Sequence, residues 1–288
     1  MPTYKTHAIH IMKCNDYIDK RIALNPEDLK VFSFGPDALA FTDPITFNAQ
    51  HSKDSKYFFA YLMREIKNSH NLDNPEAIAF LYGQIDHFIL DYSFHPFVNY
   101  LTSNMKLNKL IHPHMQMEFW IDNYMMDKYG IYDKNFFTVS KIDDPETRRI
   151  IDMTYLNVYR CFFASAKYDI GINTYESLES KIRFNDMIAT AIKPLADLTY
   201  EKRKKIMECF INKERKTWFH PINGEEHHES LRELWNNSVA LYIETIEAVN
   251  RFLYDDKELK SELLDSNSSY DTALDCNGPK KLIYAKKY

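Results

Sequence analysis

Apolar residues recur at helical spacing through most of this chain. Tyr57, Phe58, Tyr61, Leu62 and Ile66 mark one face of a helix over 52–69, with Ser52 as its N-cap and Asp54 in its first turn. A first helix is predicted over 3–24 and ends at the NPED loop, 25–28. Residues 33–44 hold Gly35, Pro36 and Pro44 and read as turns. A central helix starts at Pro75, where proline suits the first turn. It is expected to end near residue 94, because the residue before Pro96 is biased away from helix. Further helices are predicted over 112–129, capped by Gly130, and over 146–168, 176–192, 199–214 and 227–254, with loops at 131–144 and 217–228. The pattern predicts an all-α multi-helix bundle: a helical core over 1–130, a helical half over 131–265 packed on it or forming a subdomain, and a loosely ordered polar tail over 266–288.

One stretch breaks the partition of apolar inside and polar outside. In Gly83–Phe97, His87, Asp91 and His95 follow one another at intervals of four among Ile85, Phe88, Ile89, Leu90 and Phe94. Residues four apart share a helix face, so these three form a polar stripe on an apolar helix. Burying a carboxylate and two imidazoles without partners costs several kcal/mol. A metal ion removes that cost, since imidazole and carboxylate are the usual N and O ligands of zinc. His114 and Glu118 repeat the four-residue spacing downstream. Asp37 lies on the Gly-Pro-Asp turn, and His51 precedes a predicted helix. His7 and His10, three apart, compete for one role in such a site. His112 points elsewhere on its helix, and His220, His227 and His228 read as surface or loop residues without an acidic partner at useful spacing.

Composition narrows the picture. Six glycines against 20 Tyr and 19 Phe favour long helices with a bulky core over a β-sandwich, and Phe41, Phe47, Phe97 and Trp120 are assigned to that core. A net charge of −5 gives no support to a nucleic-acid-binding surface. Cys14, Cys161, Cys209 and Cys276 are widely spaced with no CxxC, and read as reduced thiols. The opening MPTYKTHAIH lacks the apolar core of a signal peptide and no run is long enough to span a membrane, so the expected location is cytoplasmic.

Five segments in order resemble the zinc-dependent phospholipase C family: TH at 6–7, GPD at 35–37, HSKDSKYFF at 51–59, DHFILDYSFHPFVNY at 86–100 and HMQME at 114–118. The W-x-HP loop at 218–221 and the SLRELW segment after it match more loosely. The resemblance implies a phospholipase C/zinc nuclease-like bundle with two or three zinc ions. Asp37, His51, His87 and Asp91 would hold one, and His95, His114 and Glu118 a second. Asp91 would bridge and, with His7, hold a third, which in secreted relatives is completed by the free N-terminal residue; here Met1-Pro2 stands a few residues ahead of His7. It further implies hydrolysis of phosphodiesters, including phospholipid at a membrane surface, with Asp37 as the catalytic carboxylate. Carboxylates behind the ligands are expected to orient the imidazoles, with Asp86 and Asp122 beside the ligands in sequence. Two alternatives stay open: a single-strand nuclease or nucleotidase on the same scaffold, and a non-enzymatic protein held together by its metals.

Overall fold

The computed structural model describes residues 4–18, 22–40, 43–53, 55–69, 71–105, 112–132, 136, 142–159 and 207–288. The helix predicted over 176–192, the first half of that over 199–214 and the end of that over 146–168 lie outside these residues, as do Met1-Pro2, Phe41, Asp54 and Cys161. The fold is all-α apart from one small hairpin. In order come α1 (Tyr4–Cys14), α2 (Pro26–Phe32), a 3-10 turn (Gly35–Leu39), α3 (Pro44–Ser52), α4 (Ser55–Asn68), α5 (Pro75–Thr102), α6 (Pro113–Tyr129) and α7 (Pro145–Tyr159). The hairpin β1 (Trp218–Phe219) and β2 (Glu226–His227), α8 (Leu231–Tyr254) and a last turn α9 (Glu262–Asp265) follow. No helix of the described residues is long and apolar enough to cross a membrane.

The bundle is built around α5. Asn74 caps it by accepting from the backbone N–H groups of Glu76 and Ala77, and Pro75 takes the first turn as expected. Its N-terminal half lies in one core with Phe32, Phe58, Phe59, Tyr242 and Tyr270, and its C-terminal half in a second with Met117, Ile121, Trp218 and Trp235. A helix buried on all sides needs apolar residues all round, which Ile85, Phe88, Ile89, Leu90 and Phe94 supply. α8 packs along α5 and α1, its capping box formed by Ser230 and Glu233.

The first helix, expected over 3–24, ends at Cys14, and α2 begins at Pro26 inside the expected loop over 25–28; three further expectations are corrected. First, α5 does not stop before Pro96 but continues to Thr102. An interior proline costs roughly 3 kcal/mol. Beyond it Phe97, Val98 and Leu101 are at most 2% exposed, and burial of each such side chain stabilises by about 1.5–3 kcal/mol, so tertiary packing wins. Second, His51 does not precede a helix: it sits in the last turn of α3, and Ser52 ends that helix while α4 starts at Ser55. Third, the first part of 266–288 is not loose. Ser268, Ser269, Tyr270 and Cys276 are buried, and Ser55 donates to the Ser268 carbonyl at 2.7 Å.

Candidate metal centre

The middle of α5, where the helix passes from one core to the other, carries His87, Asp91 and His95 on one face, each at most 1% exposed. Neighbouring elements aim further donors at it. His7, from α1, lays its ring on that of His87 with centroids 4.1 Å apart, and its Nε2 is 3.3 Å from Asp91 Oδ1. The second oxygen of Asp91 is 3.1 Å from His87 Nε2 and 3.7 Å from His51 Nε2. Asp37, on the 3-10 turn, places Oδ1 3.3 Å from His51 Nε2 and 3.8 Å from His87 Nε2. One turn further along α5, the His95 ring lies 5.3 Å from that of His114, whose Nε2 is 2.8 Å from Glu118 Oε1. Among the described residues four groups are tight enough to share an ion, with donor atoms within 4.8 Å of one another: three at this face, His7, His87 and Asp91; Asp37, His51 and His87; and His95, His114 and Glu118; and a fourth apart from it, His10, Cys14 and Asp86.

The imidazoles are held from behind by backbone. The Nδ1–H of His51 donates to the Phe47 carbonyl at 2.8 Å, that of His87 to Ser33 at 3.0 Å and that of His95 to Tyr270 at 2.7 Å. A carbonyl only accepts, so each ring carries a proton on Nδ1 and turns Nε2 inward, the orientation found behind metal-bound histidines. Carboxylates do not perform this task, contrary to expectation. Asp86 instead pairs with His10 Nδ1 at 2.6 Å, and Asp122 receives the N–H and hydroxyl of Thr6 at 3.0 and 2.6 Å.

Whether these residues fit zinc can be judged from their hydrogen bonding. Both ring nitrogens of His7, Nε2 of His87 and of His95, Oδ1 of Asp37 and both oxygens of Asp91 are buried without a hydrogen-bond partner. Each orphaned buried polar atom costs about 1–3 kcal/mol. Five of the seven face one another or His51 only as imidazole–carboxylate pairs at 3.1–3.8 Å, and Nδ1 of His7 and Nε2 of His95 make no hydrogen bond. Cations bound between them would satisfy the inward-facing nitrogens and carboxylate oxygens, and that donor set suits zinc.

The charges are already polarised. Burial drives the His51 ring towards neutrality, but the bond to Asp37 and the carboxylates of Asp271 and Asp91 outweigh it and raise its pKa to about 9. Burial acts likewise on His87 and is likewise overcome, by Asp91 and Asp37. Burial wins at His7, which is lowered, at His95, lowered to about 4, and at His114, held well below the usual range. Asp91 stays ionised far below the usual carboxylate range: burial opposes this, and His87, His95 and His7 override it.

His7 and His10 part company. His10 faces away from this cluster, bonded through Nδ1 to Asp86 and through Nε2 to Ser238 at 2.9 Å. His112 caps α6, accepting from the His114 N–H. His220 is not a surface residue. It is buried and bonded to the Thr272 carbonyl at 2.8 Å. His227 and His228 do have acidic neighbours, Glu229 at 3.4 Å and Glu226 at 3.1 Å.

Gly35 belongs to the site and escaped sequence reasoning beyond its place in a turn. Its φ is +53°, and a Cβ there would stand 2.3 Å from Cγ of His87. Its place directly before Pro36-Asp37 was the available signal. Tyr270 also went unnoticed: it lies far from the other residues in sequence and acts through its carbonyl, which no sequence pattern marks.

Neither a curated protein nor a solved structure matches the chain. A family model does, and it runs from residue 3 to residue 159, through every element that aims a donor at the face of α5. Over that length, more than half of the chain, the match is to zinc dependent phospholipase C, and the chain belongs to that family.

Proposed function

We propose that this protein is a zinc-dependent phosphodiester hydrolase of the phospholipase C type, acting on phospholipid headgroup esters. The observation that carries the reading is the set of seven buried nitrogen and oxygen atoms without a hydrogen bond that converge from α1, the 3-10 turn and α5. Asp37, His51, His87 and Asp91 are assigned to one ion, His95, His114 and Glu118 to a second, and His7 with Asp91 to a third. Bound zinc supplies Lewis acidity, neutralising phosphoryl oxygens and lowering the pKa of water towards 7.

The chain's own residues supply position and proton transfer. The backbone carbonyls of Ser33, Phe47 and Tyr270 accept from Nδ1 of three imidazoles and so turn their Nε2 atoms toward the metal position. Asp91, fully buried, is ionised and fixed between His7 and His87. Asp37 has a side chain 17% exposed, so it is the carboxylate placed to orient an incoming water and to accept its proton.

Elemental analysis of protein purified without added zinc, followed by assay on phosphatidylcholine, a chromogenic phosphodiester and single-stranded DNA, tests this reading. Two or three zinc ions per chain and hydrolysis of the first two substrates are expected. A folded chain that neither retains nor takes up zinc overturns it, and metal-loaded protein that cleaves only DNA moves it to the nucleases.

A further inference from the structure

Residues 280–288 read Lys-Lys-Leu-Ile-Tyr-Ala-Lys-Lys-Tyr, with four lysines and no acidic side chain, in a chain whose net charge is −5. The other residues therefore sum to −9, that is −5 less the +4 of this segment, so the segment carries the opposite sign to the rest of the chain. The segment is also where apolar side chains face solvent. Nine large hydrophobic residues are exposed among the described residues, and four of them are Leu282, Ile283, Tyr284 and Tyr288. Ile283 is 65% exposed, a position at which an isoleucine gains nothing from the fold.

The strip is not a free end. Its backbone is pinned at Ile283 and Tyr284, whose N–H groups both donate to the Pro221 carbonyl at 2.7 and 2.9 Å, and at Lys286, which donates to the Tyr100 carbonyl at 2.9 Å. The Tyr284 ring packs over Gly224 of the hairpin turn. At one end Lys280 Nζ donates to the Ser52 carbonyl, next to His51. At the other, the Tyr288 hydroxyl donates to the Leu101 carbonyl, six residues beyond His95 on α5. The segment therefore runs past the metal centre from α3 to the end of α5, with its main chain fixed to the protein and Lys281, Leu282, Ile283 and Lys287 exposed to solvent.

We propose that Lys280–Tyr288 is a docking strip for an anionic phospholipid surface, which would bring the metal centre to lipid headgroups. Charge complementarity selects the occupant. Lysines beside exposed aliphatic and tyrosine side chains suit a bilayer interface, where the charges meet anionic headgroups and the apolar groups enter the acyl boundary. Each lysine near an anionic bilayer strengthens binding roughly fivefold. That the strip serves turnover rests on the proposed phospholipase reading; that it binds a membrane does not.

The test is flotation of the full chain with phosphatidylcholine vesicles, with and without phosphatidylserine, beside assays on a water-soluble chromogenic phosphodiester. Binding is expected with phosphatidylserine only, and it is expected to weaken with salt. The exposed pair Lys281→Glu and Lys287→Glu should weaken it by at least about thirtyfold, with thermal unfolding and chromogenic activity unchanged. Ile283→Ser should weaken it at any salt concentration. Wild-type protein that stays unbound at low salt, or a double variant that floats as well as wild type, overturns the proposal, as does binding to an oligonucleotide in place of vesicles. Protein that floats but hydrolyses nothing upholds the strip and overturns the catalytic reading alone.

Discussion

Asp91 and Asp37 separate by burial and by neighbours. Asp91 has both oxygens among three imidazoles, His7, His87 and His51, and no exposure to solvent. Asp91→Asn is therefore expected to lose zinc and activity together, with a stability cost of about 3–5 kcal/mol from the uncompensated buried imidazoles. Asp37 is partly exposed and faces only His51 and His87, so Asp37→Asn is expected to keep most of the zinc and lose activity. Equal zinc loss in the two variants, measured by elemental analysis, would remove the distinction between them. His51 makes zinc uptake depend on pH. Its pKa in the metal-free fold is about 9, above the ordinary 6.5. A raised histidine stabilises the metal-free fold fully below the ordinary value, and that contribution fades as pH rises through about 9. Zinc requires the neutral ring, so apparent affinity should climb with pH and level off near 9. Calorimetric titration in two buffers of different ionisation enthalpy would show the released proton; affinity flat over this range would mean that His51 gives up no proton to zinc. At this scale the donors were legible, because His87, Asp91 and His95 recur every fourth residue in an apolar run. Their supports were not, because Ser33, Phe47 and Tyr270 act through carbonyls that every residue type possesses.

Elements were legible where local signals and packing agree. Pro75 starts α5, Gly130 ends α6 at φ +65°, and the helical periodicity of α4 appears as a buried face of Phe58, Phe59, Leu62 and Ile66. The reading failed where tertiary packing overrode a local preference, as at Pro96, and where a loop in sequence gained partners in space, as in the Trp218–His227 hairpin, whose two strands stack Trp218 on His227 at 4.2 Å. Two glycines show how closely the elements approach α5, and they predict different losses. At Gly83, within α5, a Cβ would lie 2.5 Å from the Phe32 carbonyl carbon in α2. Backbone cannot swing aside, so Gly83→Ala is expected to cost about 1–3 kcal/mol by overpacking and to leave zinc content unchanged. At Gly35 the obstruction is the His87 ring, and the positive φ adds strain of about 1–2 kcal/mol for alanine. Gly35→Ala is expected to shift that ring and release zinc as well as to lower the melting temperature. Zinc content and thermal unfolding, measured together, distinguish the two; full zinc retention in Gly35→Ala would show that the turn does not position His87.

Across the whole molecule, the metal centre joins parts that share little else. Its donors come from residues 7 to 118, and its outermost support is the loop around Tyr270. The N–H of Tyr270 and the hydroxyl of Ser269 both reach the His51 carbonyl at 3.0 Å, while the Tyr270 carbonyl receives His95. A segment that the sequence marks only as polar and aperiodic thus clamps one histidine from each of two donor groups, and it does so from outside the stretch matched by the family. If zinc balances the buried donors, its removal should loosen the periphery before the middle. Amide exchange after chelation is expected to accelerate over 266–276, whose Tyr270 supports His51 and His95, while the centre of α5 and α8, buried in both cores, stays protected. Restored zinc should raise the melting temperature with concentration, by about 2.7 kcal/mol of stability at a hundredfold excess over Kd. Uniform acceleration would identify the ions as a global clasp on the fold. Exchange that does not change at all would show that the histidines and carboxylates satisfy one another without metal, and the proposed chemistry would lose its foundation.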